Sequence, residues 1–209
     1  DLIKKSKKIS RDFISSEQDV LVSSGEQISC ALIAGRLNHL GYKSQSWQGW
    51  QIPIITTGIF GSSRIIKINT KKINNYLISG GIPVIAGFQG INMNNRITTL
   101  GRGGSDATAI MIAKFFKAHK CIIYTDVEGV YTTDPKKFNN AKKIKVISYE
   151  EMLEMASLGA KVMQPHSIQD ARLNRIDIDV KSSFVNKRGT LITKKSNILR
   201  NKIITGISS

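Results

Sequence analysis

Apolar residues recur among lysines at helical spacing over residues 2–14, which predicts an amphipathic helix at the start of the chain. Val20-Leu21-Val22 is a short apolar run entering Ser23-Ser24-Gly25-Glu26, and a second helix is expected over 28–40, closed by Gly41. Residues 65–68 read as a strand, 74–78 as a short helix ended by Gly80-Gly81, and 83–86 as the opening of a buried strand. A strongly apolar helix is expected over 107–118, followed by a buried strand over 121–124. Ser148-Tyr149-Glu150-Glu151 has the spacing of a capping box, its helix running to about Leu158 and stopping at Gly159. A strand pair over 178–181 and 190–193 completes the pattern. Strands alternating with helices predict one α/β domain, a three-layer α/β/α sandwich around a mostly parallel central sheet.

Composition narrows the function classes. The 209 residues are 41% hydrophobic and 22% charged, with mean hydropathy −0.13, an ordinary globular balance. No run of about 18 apolar residues occurs, which excludes a membrane-spanning helix. Cys30 and Cys121 are too few for a disulfide framework or a four-ligand zinc site, and they suit a reducing, cytoplasmic compartment. Lys and Arg total 31 against 15 Asp and Glu, giving a net charge of +16. The lysines are scattered in pairs such as Lys4-Lys5, Lys71-Lys72 and Lys142-Lys143, without the interleaved aromatics of a single-strand stacking platform. A polyanionic small molecule suits this charge, and no nucleic-acid partner is expected.

Two segments carry recognisable chemistry. In Thr98-Thr99-Leu100-Gly101-Arg102-Gly103-Gly104-Ser105-Asp106, glycines let the backbone approach a ligand, and the helix that follows offers its N-terminal amides to an anion. Arg102 supplies a planar fork for a carboxylate or phosphate, and Asp106 sits in the first helical turn. The bland alternative is a glycine-rich loop with an Asp cap. No GxxxxGK[ST] motif is present, and the spacing fails the dinucleotide fingerprint. The second segment, Tyr124 to Lys136, follows a strand and therefore lies at a carboxyl edge of the sheet, where ligands bind in open α/β folds. Its hydroxyls, carboxylates and Tyr131 ring suit a ribose, a base and a metal-bound phosphate; the competing reading is a polar turn at Asp134-Pro135. Lys161 follows a helix stop and by itself reads as a surface lysine. His39, His119 and His166 lack metal spacing, and Trp47 and Trp50 read as packing aromatics.

Taken in order, SSGEQIS (23–29), SWQGWQIPI (46–54), AGFQGI (86–91), RITTLGRGGSDATA (96–109), YTDVEGVYTTDP (124–135), ISYEEMLEMASLGAKV (147–162) and KSSFVNKRGTLI (181–192) resemble the aspartokinases, a branch of the amino-acid kinases. The SWQGWQIP version is similar to that of alphaproteobacteria. The resemblance implies transfer of the ATP γ-phosphoryl group to the side-chain carboxylate of L-aspartate, the entry to lysine, threonine and methionine. Carried over by position, Glu26 holds the substrate amino group and Arg102 its α-carboxylate, with Gly103, Gly104 and Ser105 lining the same site. Asp106 organises the catalytic centre together with Lys161, which lies near the phosphates. Thr125, Asp126, Tyr131, Thr132, Thr133, Asp134, Pro135, Lys136 and Lys161 hold ATP, and Mg²⁺ is held mainly through the nucleotide phosphates.

The chain also departs from that family. A Lys-Phe-Gly-Gly-Thr-type turn and a Ser-Ala-Met-type loop are absent, and residues 1–3 align just after the second. Thr57 and Phe60 stand where an Asp and a His are common, and Lys136 stands for a usual Arg. The expectation is an internal fragment, with 1–193 a catalytic domain and 194–209 a tail leading toward ACT regulatory domains. Alone it is expected to be nearly inactive, and the full-length protein to be a homo-oligomer. Two other readings stand beside it: a related kinase with another acceptor, separated by an acceptor comparison, and a basic nucleic-acid binder, which would lose affinity steeply with salt.

Overall fold

Ser10 ends the first helix early, its hydroxyl accepting from the Asp12 amide (3.2 Å) and competing with the helical pattern. The computed structural model describes residues 2–160 and 162–194; the expected catalytic Lys161 and all but Lys194 of the expected tail lie outside these. Helix α1 (Leu2–Ile9) is therefore shorter than expected, and α2 (Ser15–His39) follows. Helix α2 corrects the expected break before Ile28, because it runs through Ser23-Ser24-Gly25 unbroken. The Ser23 and Ser24 hydroxyls donate back to the carbonyls of Val20 (2.9 Å) and Leu21 (2.7 Å). Asp19, Ser23, Cys30 and Ala34 are buried along one face. Burying that face outweighs the cost of about 1 kcal/mol for a mid-helix glycine.

The chain divides into two compact units, residues 1–108 and residues 109 onward, with the division inside α4 (Gly104–Phe115). No linker composition marks a helix interior, so the sequence pattern shows no boundary there. In the first unit β1 (Ser44–Trp47) pairs in parallel with β4 (Ile82–Ile85). A second sheet has the order β3-β2-β5-β6, from β2 (Ile54–Thr56), β3 (Ile65–Ile68), β5 (Gln89–Ile91) and β6 (Ile97–Thr99). Helix α3 (Lys71–Ile78) lies between β3 and β4 in the chain.

The second unit holds β7 (Cys121–Thr125), β8 (Val146–Ser148), α5 (Tyr149–Ser157), α6 (Pro165–Asn174), β9 (Ile178–Ser182) and β10 (Thr190–Thr193). Its sheet order is β7-β9-β10-β8, and its core gathers Ile110, Ile147, Tyr149, Met152, Ile168, Ile178, Val180 and Ile192. The capping box forms: Ser148 Oγ accepts from the Glu151 amide (3.2 Å), and Glu151 Oε2 accepts from the Ser148 amide (2.9 Å). Helix α6 was not foreseen, although Pro165 occupies its first turn, where a missing N–H costs nothing.

Four of the seven strand pairings are parallel, so the mixed α/β, mostly parallel class holds. The burial expected of β4 and β7 is corrected: Pro83, Val84 and Ile85 are only half-buried, and Tyr124 is 62% exposed. Strand β7 ends its sheet order, so its side chains alternate between the core and solvent. Among the described residues no helix is long and apolar enough to cross a membrane.

Candidate functional site

In the first unit the chain leaves β6, turns through glycines and enters α4. Gly101 (φ 75°) and Gly103 (φ 68°) take the left-handed region, where a side chain costs roughly 1–2 kcal/mol. Gly104 is required for space instead: a Cβ there would come within 2.7 Å of the Phe88 ring and 2.9 Å of Leu100 Cβ. Phe88 is itself left-handed (φ 66°), an outlier for a bulky residue. Its amide donates to Thr108 Oγ1 (3.0 Å), whose hydroxyl donates to the Gly104 carbonyl (2.7 Å), and its carbonyl accepts from the Leu100 amide (3.0 Å).

Glu26 reaches this turn from the middle of α2, and Ser105 Oγ donates to its Oε1 at 3.5 Å. Glu26, Phe88 and residues 101–106 line an open depression of about 280 Å³. Arg102 is exposed beside it, and Asp106 lies in the first turn of α4. The depression thus offers a carboxylate to a cation and a guanidinium fork plus helix-start amides to an anion. That is the charge pattern of an amino-acid zwitterion.

In the second unit a cavity of about 400 Å³ opens beyond the carboxyl end of β7, walled by Thr125, Asp126, Tyr131, Thr133, Asp134, Pro135 and Lys136 together with Met155, Gly159 and Ala160. Thr132 is not in this wall: its amide donates to the Lys142 carbonyl (2.9 Å) and its Oγ1 accepts from the Lys142 amide (3.1 Å). Asp134 Oδ1 accepts from the Lys136 amide (2.9 Å) and closes the turn that carries Pro135. Gly129 (φ 145°) admits no side chain, since a Cβ would fall 2.6 Å from Thr190 Oγ1. That hydroxyl accepts from the Val130 amide (2.8 Å) and donates to the Ile144 carbonyl (2.6 Å), pinning the loop. Beside it Glu128 pairs with Lys143 (3.4 Å) and Lys187 (3.3 Å). The hydrogen bond from Lys187 chiefly holds the Glu128 carboxyl below its ordinary range, with help from Lys143 and against desolvation.

The structure therefore gathers Glu26 with Gly103, Gly104, Ser105 and Asp106 in one unit, and most of the loop residues from Thr125 to Lys136 in the other. Phe88 and Asp19 were missed. Phe88 stands inside the AGFQGI stretch, whereas Asp19 falls between the helix expected over 2–14 and the run Val20-Leu21-Val22, outside any motif. Cys30 and Cys121 are buried as small apolar groups, and burial pushes the Cys30 thiol up. Trp47 packs edge-on against Tyr76, with centroids 5.7 Å apart.

Residues 1–182 match the amino acid kinase family. The chain belongs to that family. Its relatives within the amino acid kinases include the aspartokinase of Geobacillus stearothermophilus, 46% identical over 208 residues, covering the whole chain and 51% of that protein. The aspartokinase of Rickettsia felis is 48% identical over 195 residues, 93% of this chain and 49% of the relative. The chain spans about half the length of the curated relatives it matches. Among solved structures it is similar to E. coli aspartokinase III in complex with aspartate and ADP, with a TM-score of 0.82 and 34% identity over 88% of this chain and 42% of that one. An isopentenyl phosphate kinase, 20% identical with a TM-score of 0.59, shares the fold.

Proposed function

We propose that the protein containing this chain is an aspartokinase, which transfers the γ-phosphoryl group of ATP to the side-chain carboxylate of L-aspartate and yields 4-phospho-L-aspartate. The observation that carries the reading is the depression lined by groups of both charges, with Glu26 against the glycine turn and Arg102 on its rim. In this reading Glu26 takes the substrate ammonium, Arg102 grips the α-carboxylate in two parallel hydrogen bonds, and Gly103, Gly104 and Ser105 line the site. The nucleotide occupies the second-unit cavity along Thr125, Asp126, Tyr131, Thr133, Asp134, Pro135 and Lys136, with Thr132 supporting the loop from outside the wall. Lys161 meets the phosphates, and Asp106 keeps the cationic groups around them in order. Phosphoryl transfer asks little covalent chemistry of a protein; alignment and charge neutralisation supply most of the acceleration.

Mg²⁺ enters with ATP in this reading. The ion is held mainly by the phosphate oxygens and water. Residues 1–193 form the catalytic domain, and the tail from 194 leads toward regulatory domains of a cytoplasmic homo-oligomer feeding lysine, threonine and methionine synthesis.

The test is ADP formation by the protein that contains this chain, with L-aspartate, L-glutamate, N-acetylglutamate and uridylate offered in turn. ADP release dependent on aspartate and on Mg²⁺ is expected. Release driven by another acceptor, with none for aspartate, overturns the reading.

A further inference from the structure

Asp19 is a buried carboxylate, 2% exposed, that the binding roles above leave unused. Its Oδ2 accepts from the amides of Thr99 (2.7 Å) and Gly61 (2.9 Å), and its Oδ1 accepts from the Thr99 hydroxyl (2.8 Å). A buried charge is tolerated only when its hydrogen bonds are made, and these three partners come from two separate segments. Thr99 is the last residue of β6, immediately before the Leu100-Gly101-Arg102 turn. Gly61 belongs to a loop that supports the same turn: its carbonyl stands 3.1 Å from where a Gly101 Cβ would be, and the neighbouring Ser63 amide donates to the Thr99 carbonyl (2.9 Å).

Seven residues separate Asp19 from Glu26 on α2, which is two helical turns, about 10 Å along one face. Between them and just beyond Glu26 α2 is tied again to β5, as buried Gln89 Nε2 donates to the Ser23 carbonyl (3.2 Å) and Gln27 Nε2 donates to Gln89 Oε1 (3.3 Å). One helix thus carries both the group that faces the substrate depression and the group that anchors the opposite wall of that depression.

We infer that Asp19 is a positioning residue for the acceptor site: by tethering Thr99 and Gly61 to α2 it sets the separation between the Glu26 carboxylate and the turn bearing Arg102. The ligand whose recognition depends on this separation is an amino-acid zwitterion, whose ammonium and α-carboxylate are a fixed distance apart. The inference rests on the aspartokinase reading. An error in the spacing weakens both contacts to aspartate and leaves the nucleotide cavity, built from other residues, unchanged.

The experiment uses the protein that contains this chain, beginning with aspartate-dependent ADP formation by the wild type; its absence counts against the aspartokinase reading and not against the tether. Asp19→Ala is expected to raise the aspartate KM about tenfold or more, the effect of losing one charge-assisted hydrogen bond, with the ATP KM within about twofold. Asp19→Asn should restore most of the loss, because an amide oxygen still accepts from two N–H groups and the Thr99 hydroxyl can turn to accept. Hydrogen–deuterium exchange reads the tether without turnover: in Asp19→Ala the amides of residues 99–105 should exchange faster while those of β9 and β10 keep their wild-type rates. If Asp19→Ala does not fold, Thr99→Val removes the hydroxyl bond alone and should give a smaller rise confined to the aspartate KM. Equal rises in both KM values, an Asn variant as impaired as Ala, or unchanged exchange in the turn would overturn the inference.

Discussion

Ser105 Oγ stands 3.5 Å from Glu26 Oε1, so residues 79 positions apart meet at the start of α4. The contact seats a carboxylate at a helix N-terminus, where the dipole favours negative charge, and keeps it on the rim of the depression next to Arg102. In the proposed reading the ammonium of an amino acid finds Glu26 on α2 and its α-carboxylate finds Arg102 in the glycine turn, and the predictions below probe the separate parts of that arrangement.

Arg102→Lys in the protein containing this chain should raise the aspartate KM far more than the ATP KM. An ammonium keeps the charge and loses the planar fork. Loss of one charge-assisted bond, about 1.5–3 kcal/mol, corresponds to roughly a ten- to hundredfold effect. Steady-state kinetics with each substrate varied in turn decides the matter; a defect confined to ATP would sink the assignment of Arg102 to the α-carboxylate.

Asp106→Asn should abolish turnover and leave thermal stability within about 1 kcal/mol of wild type. Asp106 lies in the first turn of α4, where loss of its charge removes a helix-dipole interaction of about 0.3–1 kcal/mol, so the helix loses little. In its proposed role the variant removes the charge that orders the cationic groups around the phosphates. Near wild-type kcat in this variant, with an unchanged melting curve, would contradict the organising role.

Gly104→Ala should destabilise the first unit by about 1–3 kcal/mol, the usual cost of overpacking. The added methyl meets the Phe88 ring at 2.7 Å and Leu100 Cβ at 2.9 Å, and Phe88 is held in place by its own backbone bonds. Denaturant unfolding followed by a first-unit probe should register the loss. Gly25→Ala is the control, since its Cβ would meet nothing within 4 Å, and it should leave stability unchanged or raise it.

Glu128 makes part of the stability pH-dependent. Its folded-state pKa is depressed below the ordinary 4.5, chiefly by Lys187 and then by Lys143. A depressed carboxylate pKa contributes stability above the unfolded value, and that contribution is lost as pH falls through the folded value. The melting-temperature gap between wild type and Glu128→Gln should therefore be steady above about pH 5 and close on acidification below 4.5; added salt should narrow it too. A gap that widens on acidification would contradict the assignment.

Residues read correctly from the sequence are those whose conformation is decided within a few positions. The Ser148 and Glu151 capping box satisfies its own amides locally, Gly41 and Gly159 stop helices by adopting positive φ, and β3 and the β9/β10 pair are marked by their own apolar residues, whereas α3 starts at Lys71, three residues before the expected 74. The glycine turn before α4 and the loop after β7 were legible for the same reason, since positive φ at Gly101, Gly103 and Gly129 and the lack of room at Gly104 and Gly129 demand glycine at fixed offsets.

What remained hidden depended on partners far along the chain. Gly25 reads as a break, yet α2 passes through it because the buried face of Asp19, Ser23, Cys30 and Ala34 has a surface to pack against. The short strands β2, β5 and β6 have only three residues each and acquire definition from pairing. Asp19 carries no local signal at all, since its role consists of bonds to Thr99, 80 positions away, and to Gly61, 42 positions away. The sequence by itself determined the chemical inventory and the local punctuation of this protein, because backbone hydrogen bonding and left-handed φ are settled by near neighbours. Only the tertiary structure decided that α2 is continuous and that Asp19 anchors the strand before the glycine turn, because burial and long-range hydrogen bonds are properties of the assembled unit.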